Sequence, residues 1–107
     1  MILYRAVSTS EFKDFKNDEK FRTAENTLEA KQFFRTEKAV LEFVRIAIKR
    51  SYRPPYKFIL IIYVDNQCIQ TINFEMQNLD GYDAITIQNE DLFSFNNCVT
   101  FIEDKHV

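Results

Sequence analysis

Arg5 stands in the strand-like run Leu3-Tyr4-Arg5-Ala6-Val7, with Tyr4 beside it. A guanidinium offers paired planar donors, which suits it to bidentate recognition of a phosphate. Phe33, Phe34 and Thr36 form a second group, in Phe33-Phe34-Arg35-Thr36. An aromatic face can stack on a flat ring, and a hydroxyl can donate or accept a hydrogen bond. Glu90, in Gln88-Asn89-Glu90-Asp91, is a third candidate. A carboxylate there can stabilise a positive charge that develops nearby. Arg22 and Lys31 are additional basic residues able to touch a ligand. Each group also has an ordinary structural use. Arg5 can pair with a carboxylate at a sheet edge, the two phenylalanines can fill a core, and Glu90 and Asp91 can favour the amides that start a helical turn.

These residues need elements to position them. Ile2 to Val7 reads as a strand. Ser8 and Glu11 have capping-box spacing for a helix from about Ser10 to Asn17, with Phe12 and Phe15 on its apolar face. Asn17 to Ala30 is polar with little periodicity, and reads as a short strand followed by a loop of the kind that can be shaped around a ligand. Lys31 to Arg35 is a brief strand, and Thr36 caps the main helix, Glu37 to about Ser51. Val40, Phe43, Val44, Ala47 and Ile48 are spaced as its buried face, while Glu42, Arg45 and Lys49 point outward. Pro54-Pro55 stops it.

The second half is strand-rich. Tyr56 to Val64 is a near-continuous apolar run suited to a central strand covered on both faces. Asp65-Asn66-Gln67 reads as a turn into a hairpin partner, Cys68 to Met76. Leu79-Asp80-Gly81-Tyr82 reads as a turn, Ala84 to Gln88 as a strand, Glu90-Asp91-Leu92 as a short helical turn and Cys98 to Glu103 as the last strand. The order predicts an α+β fold in one domain over residues 1–107, with two early helices and a mixed, mainly antiparallel sheet.

Composition removes several function classes. The single glycine, Gly81, cannot build a Walker or dinucleotide phosphate loop. His106 is the only histidine, which argues against histidine-based zinc sites and against Cys-His or Ser-His catalysis; no metal site is expected. A net charge of −2 supplies no general field for nucleic acid, and the basic residues Arg45, Lys49, Arg50 and Arg53 read as a solvated helix terminus. Cys68 and Cys98 lie in strand-like runs and read as buried free thiols in a reducing compartment, with a disulfide as the alternative if the protein is exported. No signal-peptide pattern opens the sequence, and the longest apolar stretch, Phe58 to Val64, is too short for a membrane span. A cytoplasmic protein without a membrane partner is expected, unless a dedicated secretion system exports it.

Three segments together resemble the small ADP-ribosyltransferase-like domains of bacterial toxins. They are Leu3 to Val7, Thr27 to Thr36 and Leu79-Asp80-Gly81-Tyr82 continued by Ile85 to Leu92. The resemblance implies an ADP-ribosyltransferase-like fold and NAD as substrate. It implies Arg5 and Glu90 as catalytic residues, with Tyr4, Arg5, Phe33, Phe34 and Thr36 around the dinucleotide. Gln88-Asn89-Glu90 has the Q-x-E spacing of some of these transferases, in which the glutamate holds the nicotinamide ribose. Ser8-Thr9-Ser10 is similar to the family's Ser-Thr-Ser element but directly follows the first strand, so it is read as a helix cap. Two functions follow as expectations. One is transfer of ADP-ribose from NAD to a protein or other macromolecular acceptor. The other is a non-catalytic interaction module on a degenerate version of the same fold, able to pair as a homodimer or with a protein partner.

Overall fold

The run Tyr56–Val64 carries Ile59, Leu60, Ile62 and Val64 wholly or nearly buried, and a strand with that profile needs cover on both faces. In the computed structural model, which describes residues 1–22, 30–79 and 81–107, it is β3, next to the centre of a six-stranded sheet. The other strands are β1 (Ile2–Ser8), β2 (Lys31–Phe34), β4 (Glu75–Leu79), β5 (Tyr82–Ile87) and β6 (Val99–His106). The order is β4-β5-β2-β1-β3-β6, and every neighbouring pair is antiparallel. The helices are α1 (Thr9–Asp18), α2 (Glu37–Lys49), α3 (Asn66–Ile69) and α4 (Leu92–Cys98), the last preceded by a 3-10 turn over Asn89–Asp91. This is a compact α+β fold whose sheet is antiparallel rather than mixed.

Alternation along the strands divides the core in two. Leu3 and Val7, Phe33, Leu60 and Ile62, and Ile85 and Ile87 face one side, where they meet Phe15 of α1, Ile69 of α3 and Leu92 and Phe95 of α4. Phe21 joins that layer, with its ring centroid 4.8 Å from Phe15 and 5.2 Å from Phe33. Ala6, Phe34, Ile59 and Ala84 face the other side, under Ala39, Val40 and Val44 of α2. Both expected caps are in place. Ser8 Oγ accepts from the Glu11 N–H at 3.2 Å, and Thr36 Oγ1 accepts from the Ala39 N–H at 3.1 Å.

One boundary in the sheet is thin. β1 and β3 pair along nearly their whole length, whereas β1 and β2 share the single registered pair Tyr4↔Phe34. Beyond it the two strands part. No helix among the described residues is long and apolar enough to cross a membrane.

Three expectations are corrected. The segment after Val64 forms no hairpin with β3. The Asp65 side chain accepts from the Cys68 N–H at 2.8 Å and caps α3, so the chain turns helical, and the strand begins only at Glu75 and pairs with β5. Phe21 and Arg22 are not in a strand, and Thr23 lies outside the described residues. Cys68 and Cys98 are not free thiols in strands. One lies in α3 and the other ends α4, these helices pack on the same face, and with Cα atoms 5.4 Å apart the two cysteines form a disulfide.

That disulfide closes a loop between residues 30 apart in sequence, over the face that carries the larger core cluster. Replacing both cysteines by alanine is expected to lower unfolding free energy by about 3 kcal/mol in urea denaturation. Reduction of the unmodified protein should cost a similar amount, and an unchanged midpoint under reducing conditions would contradict this.

Candidate functional site

Arg5 shares the face of β1 that carries Leu3 and Val7, so its charge needs partners close at hand. Its guanidinium lies over the Phe33 ring, 5.7 Å from the centroid. Nε donates to Glu11 Oε2 at 2.7 Å and Nη2 to Glu11 Oε1 at 3.0 Å. Nη1 donates to the Gln32 carbonyl at 2.9 Å, crossing the gap where β1 and β2 part. Glu11 is available because Ser8 starts α1 immediately after β1, which places Glu11 in the first turn, above Arg5. Lys31 Nζ reaches the same carboxylate at 3.4 Å. Burial pushes the Glu11 carboxyl up, but Arg5 and Lys31 together outweigh it and hold the group below its ordinary value.

A guanidinium has five N–H donors. Among the described residues three are engaged, which leaves two for a ligand. They lie at a cleft of about 260 Å³ lined by Arg5, Ala6, Ser8, Glu11, Ala30, Gln32, Phe34, Phe43, Tyr52, Pro54 and Tyr56. Tyr52 is placed there by the end of α2. Ser51 adopts a left-handed φ of 53°, its N–H bonds to the Ile48 carbonyl at 3.1 Å, and the Tyr52 N–H bonds to the Ala47 carbonyl at 2.9 Å. The Tyr52 ring stacks on Tyr56 at 5.3 Å and is 51% exposed. Burial, followed by the interaction with Tyr52, pushes the Tyr56 phenol up to about 12, so it remains a neutral hydroxyl at neutral pH.

The candidates separate clearly. Arg5 and Phe34 line the cleft, although Phe34 is 4% exposed and packs on Phe43 at 5.1 Å. Phe33 is fully buried on the opposite face against Phe21 and Phe95, so it supports Arg5 and offers no free stacking surface. Tyr4 is half-buried against the α2 layer, outside the cleft lining. Thr36 caps α2 and borders a separate, shallower hollow with Arg35, Gly81, Tyr82 and Asp83. Glu90 is exposed in the 3-10 turn after β5 and does not line the cleft. Since Ile87 of β5 pairs with Lys31 of β2, Glu90 lies beyond the Lys31 end of the sheet, with β2 between it and β1. Arg22 pairs with Asp14 and Asp18 on α1.

Glu11, Gln32, Tyr52 and Tyr56 belong to the cleft but are not among the sequence candidates. The capping-box spacing does draw attention to Glu11, for a different role. Tyr52 and Tyr56 carry a weaker signal as the aromatic residues flanking Arg53-Pro54-Pro55. Among the described residues, no group of three or more His, Cys, Asp or Glu side chains is placed to hold a metal ion. Compared with known protein families, curated proteins and solved structures, the chain gives no significant match.

Glu11 has a depressed folded-state pKa, so its contribution to stability is fully present above the unfolded carboxylate value and is lost as pH falls through the folded one. Glu11→Gln should therefore cost about 1–2 kcal/mol at neutral pH. The gap to the unmodified protein should narrow between about pH 5 and pH 3 in urea titrations. Parallel pH profiles for the two proteins would contradict the pairing.

Proposed function

We propose that this chain is an NAD-binding domain of ADP-ribosyltransferase-like type that takes the dinucleotide at the Arg5 cleft. The observation that carries the reading is the state of Arg5. It is held by Glu11 and Gln32 with, among the described residues, two donors to spare, and it lines one cleft with the exposed ring of Tyr52. Such a guanidinium fits a pyrophosphate, since its orientation is fixed before the ligand arrives. Tyr52 supplies the aromatic face that the buried Phe33 does not. A second hollow of about 370 Å³, lined by Gln32, Phe43, Ile46, Ala47, Arg50, Tyr52 and Tyr56, adjoins the cleft and gives an extended ligand room to continue.

In this reading the bond between nicotinamide and the ribose C1′ breaks, with the electron pair leaving on nicotinamide. A nucleophile of a macromolecular acceptor forms the new bond at C1′ and loses its proton. Glu90, the acid implied by the resemblance, stabilises the cationic ribose if the ligand extends toward the Lys31 end of the sheet. A specific observation favours the non-catalytic alternative. Glu90 is absent from the cleft lining, and both phenylalanines are spent on the core.

Titration of NAD followed by ligand-observed NMR separates the two. Saturable binding is expected, weakened about tenfold or more by Arg5→Ala, which removes charge-assisted hydrogen bonds. Tyr52→Ala should weaken it as well. Glu90→Ala should leave affinity within about threefold and abolish nicotinamide release if the domain is a transferase. No binding by a folded sample would leave the interaction module as the function.

A further inference from the structure

Five of the chain's 14 lysines and arginines, Arg45, Lys49, Arg50, Arg53 and Lys57, fall in a stretch of 13 residues that contains no Asp or Glu. Arg45 is paired with Glu42. Among the described residues, Lys49, Arg50, Arg53 and Lys57 have no ion-pair partner, and all four are exposed. The protein as a whole carries −2, so this end of α2 is a local reversal of the molecule's charge. A solvated helix terminus accounts for two or three such cations within the last turn of the helix. It does not account for Arg53 and Lys57, which lie beyond the end of α2.

Between the end of α2 and the start of β3 is a groove of about 380 Å³, which shares Tyr52 and Tyr56 with the Arg5 cleft but is not lined by Arg5, Glu11 or Gln32. Val44, Ala47, Ile48 and Pro55 give it an apolar floor and wall, and Arg53 and Lys57 also line it. Ile48 is 68% exposed, an unusual position for a large aliphatic residue that has the spacing of the helix's buried face. An apolar recess beside unpaired cations complements an apolar side chain flanked by carboxylates. A nucleic acid would use the cations but has no group that needs the Ile48 recess.

We propose that this groove docks an acidic segment of a protein partner, with one large apolar side chain seated between Ile48 and Pro55 and its flanking carboxylates on Arg53 and Lys57. The proposal does not depend on the NAD reading, because it concerns a different recess and would hold for a transferase's acceptor or for the partner of a non-catalytic module.

The probe is a fluorescein-labelled nonapeptide with Asp and Glu on both sides of a central Leu-Phe pair, followed by fluorescence polarisation on the disulfide-bonded protein. Saturable binding is expected, falling about tenfold or more as salt rises from roughly 50 to 300 mM, since exposed charges are screened over that range. The peptide with Asn and Gln replacing the acids should bind at least about tenfold more weakly. Arg53→Glu combined with Lys57→Glu should abolish binding, and Ile48→Asp should weaken it. All three positions are exposed, so these variants should fold, and NAD titration of each serves as a separate readout of the Arg5 cleft. Absence of peptide binding, binding indifferent to the variants, or tighter binding of a twelve-nucleotide oligo(dT) would each overturn the proposal.

Discussion

The contact on which the rest of the architecture turns is the span of the Arg5 guanidinium from Glu11 to the Gln32 carbonyl. Elsewhere in the sheet, neighbouring strands are joined by backbone ladders; between β1 and β2 only Tyr4 and Phe34 are in register. The Gln32 carbonyl at this boundary is exposed. Arg5 donates to it, so a side chain does at this boundary what the backbone does at the others. The arrangement holds only because Glu11 balances the charge, and Glu11 is in place only because Ser8 ends β1 and caps α1 in the same step. A strand, a helix cap and an ion pair within seven residues thus create an opening in the middle of the sheet without leaving it unsupported.

The two core layers explain why the sheet tolerates such an opening. The face of α1, α3 and α4 holds the Phe15, Phe21, Phe33 and Phe95 cluster, and the Cys68–Cys98 disulfide ties α3 to α4 there. Among the described residues the helix on the opposite face is α2, with small residues such as Ala6, Ala39 and Ala84 allowing close approach. Aromatic burial and a covalent link stiffen one side, and the cleft is lined from the other by Phe34, Phe43, Tyr52 and Tyr56. Binding sites carried on rigid elements lose less ordering entropy when they take a ligand.

Much of this was legible in the sequence. The apolar run Tyr56–Val64, the helical spacing from Val40 to Val44 and the caps at Ser8 and Thr36 each rest on local rules, and the structure follows them. Arg5 is singled out through the resemblance of its strand to the first strand of ADP-ribosyltransferase-like domains, and its alternative use, pairing with a carboxylate, is what Glu11 provides. What escaped depends on competition or on distance. Residues 68–74 alternate as a strand would, yet the Asp65 carboxylate captures the Cys68 N–H and commits the chain to a helical turn first. The segment Leu92–Cys98 is too short for helical periodicity to stand out, and with Cys98 ending that helix it is the packing of α3 on α4 that decides for the disulfide, the alternative the sequence leaves open, over free thiols. Phe33 is placed at a ligand by the resemblance, with a core role as its alternative, and it lies in the core. Whether a phenylalanine faces a cleft or a core is decided by strand parity, and parity is set by the neighbouring strand's register.

Tyr52 and Tyr56 deserve to be considered together, because they line both the Arg5 cleft and the groove at the end of α2. The stacked pair separates two recesses of different character, one built around a fixed guanidinium and the other around an aliphatic residue and two cations. Its anchor is the turn at Ser51, where a residue with a Cβ is held in a conformation that glycine adopts more readily. That turn directs Tyr52 back toward β3 instead of letting the helix run on into solvent, so the geometry of both recesses descends from how α2 ends.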